Sequence, residues 1–171
     1  MRFEKILGLF RMRFLISILP VIFLLALHEE VKGQEPPPRP INVTVTQNLS
    51  FGAFYHGAVG GTVIINPAGS RSATGDVVLL TMGYPFSQAI YRIVGHPGTV
   101  ISLLNGPDVL LPGSGGGSMS LHIGNSNPAS PFVLSPGPNF LNVGGTLTVG
   151  NSVANPPGNY SGTFDITFVQ E

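Results

Sequence analysis

The chain has 171 residues, 43% hydrophobic and only 9% charged, with no cysteine and no tryptophan. Beyond residue 33 it keeps Arg39, Arg71 and Arg92 against Glu35, Asp76, Asp108, Asp165 and Glu171, a net charge near −2 without a single lysine. That balance excludes nucleic-acid binding, which needs clustered cations to displace counterions from phosphates, and electrostatic docking on anionic lipid. It also excludes a disulfide framework and a lipid-modified cysteine.

Residues 1–33 read as a signal peptide. Lys5, Arg11 and Arg13 precede an apolar run from Phe14 to Leu27, and Val31 and Gly33 fit the small-residue positions of a cleavage site. The run is interrupted by Pro20 and falls short of the roughly 20 residues that span a bilayer, so export with no membrane insertion after cleavage is expected. An uncleaved anchor is the alternative, and Met12 is a second candidate start. Residues 34–40, with Pro36, Pro37, Pro38 and Pro40, form a stiff extended spacer. Residues 41–171 are then long enough for a single domain, burying roughly two-thirds of the unfolded chain's surface.

The domain reads as strands throughout. Ile41, Val43 and Val45 alternate with Asn42, Thr44 and Thr46, the period-2 pattern of a half-buried strand. Further strands are expected over 62–66, 76–82, 88–94, 99–104, 109–111, 119–123, 131–134 and 140–149. Turn sequences such as Asn66-Pro67-Ala68-Gly69 and Gly95-His96-Pro97-Gly98 separate them, with Pro pre-setting φ and Gly accepting positive φ. The run 113–118, almost all Gly and Ser, reads as a mobile loop. Gly144 and Gly145 interrupt the alternation of Leu141 and Val143 with Leu147 and Val149, which predicts a bulge or a strand changing partners. The closing segment 160–169 sets Phe164, Ile166 and Phe168 against Thr163, Asp165 and Thr167. No segment carries a capped helical period. The expected fold is an all-β antiparallel sandwich.

Chemistry-bearing patterns are sparse. His56, His96, His122, Asp76, Asp108 and Asp165 accompany many serines, but no Gly-x-Ser-x-Gly elbow occurs. The histidines lack metal-ligand spacing, and the glycine-rich run lacks the lysine and helix of a phosphate cradle. No catalytic residue, metal ligand or cofactor is therefore assigned. Phe51, Phe54, Phe164 and Phe168 read as core. Tyr55, Tyr84 and Tyr91, with Phe86, are the candidates for a glycan-stacking patch. Tyr160 reads as a corner tyrosine whose hydroxyl bonds nearby backbone. Asn42, Asn48 and Asn159 stand in Asn-x-Ser/Thr sites, which act as glycan acceptors in a eukaryotic secretory route.

Several motifs occur together and in order: Phe51-Gly52-Ala53-Phe54, Gly60-Gly61-Thr62-Val63, Pro67-Ala68-Gly69-Ser70-Arg71 and Thr74-Gly75-Asp76-Val77 in the first half. In the second half come Val143-Gly144-Gly145-Thr146-Leu147-Thr148-Val149-Gly150 and Gly158-Asn159-Tyr160-Ser161-Gly162-Thr163-Phe164. In this combination the chain resembles the bacterial domain of unknown function 4402 family across residues 41–169. The resemblance implies an exported protein with an immunoglobulin-like or pilin-like sandwich, in which Gly60, Gly61, Thr62, Gly144, Gly145, Gly158, Tyr160 and Gly162 are structural. It carries no catalytic residue. The Gly-x-Tyr-x-Gly segment is also similar to the closing strand of chaperone–usher fimbrial subunits. Those subunits have a donor extension besides their first strand, whereas this chain has one apolar alternation before Phe51. Polymerisation by strand donation and self-complementation thus both stay open.

The expected function is an exported structural or adhesion module, a pilin-like subunit or matrix component. It would self-assemble, or join other surface proteins, through the sheet edges carrying Ile41, Val43 and Val45 and Phe164, Ile166 and Phe168. The alternative is a monomeric module that binds a glycan or a surface protein through end loops at 84–88 and 105–118.

Overall fold

The computed structural model describes residues 39–171; the signal peptide expected over 1–33 and the first residues of the expected spacer, 34–38, lie outside the described residues. One compact unit begins at Pro38, within the proline-rich spacer. It contains twelve strands and, among the described residues, no helix: β1 (Asn42–Gln47), β2 (Ser50–Phe51), β3 (Phe54–Ile65), β4 (Arg71–Leu79), β5 (Phe86–Ser87), β6 (Ala89–Val94), β7 (Val100–Asn105), β8 (Val109–Pro112), β9 (Ser118–Asn127), β10 (Phe132–Val133), β11 (Asn139–Val149) and β12 (Ile166–Gln170).

All pairings are antiparallel. The larger sheet has seven strands in the order β1-β6-β11-β3-β4, with β9 joining β11 to β8. A three-stranded sheet, β10-β7-β12, and a ribbon of β2 with β5 complete the set. Alternation along each strand sends one set of side chains inward. Ala89, Tyr91 and Ile93 of β6, Met119, Leu121 and Ile123 of β9, and Leu141, Val143, Leu147 and Val149 of β11 are all buried. Ile101 of β7 and Phe132 of β10 join the same core from the smaller sheet. Tyr91 meets Phe168 edge-to-face across the two sheets, with ring centroids 5.5 Å apart. The domain is a β-sandwich.

Strand β11 organises the larger sheet. One edge stays with β9, while the other pairs with β6 through Asn139–Val143 and then with β3 through Gly145–Val149. The exchange falls at Gly144, where the register with β9 also shifts. A side chain on Gly144 would run into the carbonyl of Ile65, so glycine is required for the two backbones to pass.

Strand β3 starts earlier than its apolar pattern suggests, because a bulge between His56 and Gly61 breaks the alternation. The Asp76 carboxylate holds that bulge, accepting from the amides of Val59 at 2.8 Å and Gly60 at 2.6 Å. Its partner β4 begins at Arg71 rather than 76, since Ser72 and Thr74 pair with Ile64 and Thr62 on the solvent face. The closing strand is shorter than expected. It begins at Ile166, because β7 ends at Asn105, and beyond it only the Gly106 amide, donating to Asp165, continues the ladder. The glycine-rich loop is also better held than its composition implies. Gly113 donates to Gly117 and Gly116 to Gly113, and the Ser114 amide reaches the Asn159 carbonyl, each at 3.0 Å.

Candidate functional site

The two predicted assembly elements are both sheet edges. β1 ends the larger sheet, pairing only with β6, and β12 ends the smaller one, pairing only with β7. Along β1, Val43 packs against the core from a half-buried position, whereas Val45 is 54% exposed. Ile41 precedes the strand and also packs inward. Ile166 and Phe168 sit on β12 with their side chains against the core. Phe164 is corrected here: it packs against the core from the run before β12, which lies outside every strand, so it is not an edge-strand residue. What the edges present is backbone, with Val45 as their one large exposed apolar side chain.

The family glycines act by close approach. Gly60 adopts φ +79°, and a Cβ there would meet the carbonyls of Val149 and Gly150. Gly61 faces the Thr74 carbonyl in the same way, and Thr62 bonds Thr74 through their hydroxyls at 2.7 Å. A Cβ on Gly145 would run into the Leu49 side chain, and one on Gly162 into Leu111. A Cβ on Gly158 would meet the Ser114 hydroxyl and the Gly115 amide at 2.9 Å. Tyr160 is a corner tyrosine: its hydroxyl donates to the Pro156 carbonyl at 2.6 Å, four residues back.

Of the proposed stacking patch, Tyr84 is 64% exposed and Tyr55 and Phe86 are exposed as well, but Tyr91 is not available. Its ring is 9% exposed and engaged with Phe168, and burial pushes its hydroxyl pKa up. It faces inward because it lies in register with Leu141 on the core side of β6.

The histidines do not converge. His56 Nε2 bonds the Asn155 carbonyl at 3.0 Å, His96 bonds Pro97 beside it, and His122 pairs with Asp108 at 2.7 Å on the surface. Among the described residues no group of three His, Cys, Asp or Glu side chains is placed to hold a metal ion.

Residues 41–169 match the family described as Domain of unknown function (DUF4402). The chain belongs to that family. No curated protein and no solved structure matches it.

Two features of this DUF4402 domain escaped the sequence reading. Asn155 is the one buried polar side chain among the described residues, and it ties the 150–155 turn to β9. A half-open groove of about 750 Å³ lies between 48–54 on one side and 156–164 on the other. Ala89, Met119, Leu121 and Leu147 of the core reach its lining. A groove has no periodic signature, because its walls come from segments a hundred residues apart.

Proposed function

We propose that this DUF4402 domain is an exported bacterial structural or adhesion module, a pilin-like subunit or matrix component that assembles through its sheet edges. One observation carries the reading: β1 and β12 each end a sheet, and neither holds a charged residue or a proline. Monomeric β proteins guard such edges with lysines, prolines or inward charges, because bare backbone donors and acceptors template further pairing. β1 and β12 lack those guards, whereas the edge strand β4 carries Arg71 and Asp76 and β8 carries Pro112. The reading includes no catalytic role and no resident cofactor.

The test is the oligomeric state of the exported protein, by gel ladders without boiling and by sedimentation. Heat-stable ladders are expected, and they should collapse when Val45→Lys and Thr167→Lys place charges on the two edges. A strictly monomeric wild type at all concentrations refutes the reading. The exposed Tyr84, Tyr55 and Phe86 favour one second reading, a monomeric glycan-binding module. Glycan-array binding lost in Tyr84→Ala would support it.

A further inference from the structure

The groove between 48–54 and 156–164 adds an apolar floor to what the sheet edges offer, and Val45 and Gln47 of β1 reach its rim. Its volume, about 750 Å³, falls within the range of ligand sites. Its floor is domain core, with Met119 and Leu121 almost fully buried and yet part of the lining. Its lining contains no Asp, Glu, Lys or Arg. A charged occupant would lose its hydration without gaining a counter-charge, so the occupant is uncharged where it enters.

One wall offers backbone. Gly162, Thr163 and Phe164 lie outside every strand, and among the described residues their amides and carbonyls make no hydrogen bond. A second polar group is idle on the lining: His56 borders the groove, and its Nδ1 is buried without a partner among the described residues. An apolar floor beside a row of unpaired peptide groups is the arrangement that takes an added strand. Main-chain bonds fix the strand, and alternate side chains fill pockets.

We propose that this groove binds an uncharged extended segment, apolar at alternate positions, supplied by a different polypeptide. The source follows from this chain's own inventory. Every described strand is already paired within the domain, including the uncharged alternating β1, which is laddered to β6. The spacer read from the sequence over residues 34–40 is unsuited by composition, since four of its seven residues, Pro36, Pro37, Pro38 and Pro40, have no amide to donate. The site adjoins the β1 edge, since Val45 and Gln47 join its lining, whereas no β12 residue does; the backbone it offers to an entering strand is that of 162–164.

The test uses the exported protein and an acetylated, amidated peptide Thr-Val-Thr-Val-Thr-Val-Thr, followed by fluorescence anisotropy. Micromolar binding is expected, at least tenfold weaker when the central Val of the peptide is replaced by Lys. In the protein, Ser161→Glu places a charge at the rim and Thr163→Pro removes an amide; each should weaken binding at least tenfold. Both positions are exposed, and unchanged circular dichroism and thermal unfolding verify the fold. No binding, equal binding of the two peptides, or indifference to both substitutions overturns the site. Self-association that Ser161→Glu abolishes overturns the assignment to a different polypeptide. Loss of edge-driven ladders in Thr167→Lys, a β12 residue outside the lining, with peptide binding intact separates this site from the assembly edges.

Discussion

Replacing Asn155 tests how the 150–155 turn is held. Asn155 is only 2% exposed, and its side chain is used at both ends. Oδ1 accepts from the Gly150 amide, while Nδ2 donates to the Ser118 carbonyl at 2.7 Å and to the Ala154 carbonyl at 3.0 Å. Asn155→Ala leaves the Gly150 amide and the Ser118 carbonyl without partners, at about 1–3 kcal/mol each when water cannot replace the lost group. The neighbouring residues 151–154 are exposed, so some water enters, and about 3 kcal/mol is the expected total. In a domain of this size that lowers Tm by about 10 °C. Asn151 is the control, because its side chain likewise holds the turn's backbone, its Oδ1 accepting from the amides of Val153 at 3.1 Å and Ala154 at 2.8 Å, but in solvent. Asn151→Ala should cost about 0.5–1 kcal/mol. Thermal unfolding by circular dichroism measures both. Equal losses for the two variants would refute the argument that burial, not bond count, sets the cost.

Gly60→Ala should destabilise by at least about 3 kcal/mol, since it combines positive φ with a clash against two carbonyls. Gly98→Ala shares the positive φ but meets nothing within 4 Å and should cost about 1–2 kcal/mol; chemical denaturation compares the two. Arg71 donates to the carbonyls of Phe51, Ala53 and Leu80 and lies 4.4 Å from the centre of the Phe86 ring. Arg71→Lys cannot reproduce that fork and should lose about 1–3 kcal/mol by urea unfolding. The amides of Val59, first, and of Gly60 hold the Asp76 pKa below its ordinary 3.8. A depressed carboxylate stabilises the fold above 3.8 and loses that contribution as pH falls through the lower folded value. The Tm advantage of wild type over Asp76→Asn should therefore be full at neutral pH and vanish well below pH 3.8; an advantage that persists there contradicts the bulge contact.

Alternation was legible wherever one face of a strand is buried. Ile41 to Thr46 and Leu141 to Val149 were readable for that reason, and Gly144-Gly145 marked the partner exchange because only a glycine lets Ile65 pass. The pattern failed where another force set the boundary. β4 runs through Ser72 and Thr74, whose polar side chains look like a turn until β3 lies beside them. The apolar alternation through Phe164 continued past the point where β7 ends, so packing persisted without pairing. Tyr91 looked like a surface aromatic because nothing in its neighbours reveals that Phe168, 77 positions later, covers its ring.

The few charges of the described domain clarify its surface. Arg71 is spent on three carbonyls and an aromatic ring, Asp76 on a bulge, and Asp108 on His122. Each is a local fastener, which leaves little charge to keep copies apart. A surface of Ser, Thr, Asn and bare strand edges hydrates well but repels weakly, and low net charge favours association. Contacts made through such edges are main-chain hydrogen bonds, which salt screens little. On the proposed reading, the same scarcity of charge that disfavours phosphate and anionic lipid as partners is what edge-to-edge contact between polypeptides requires.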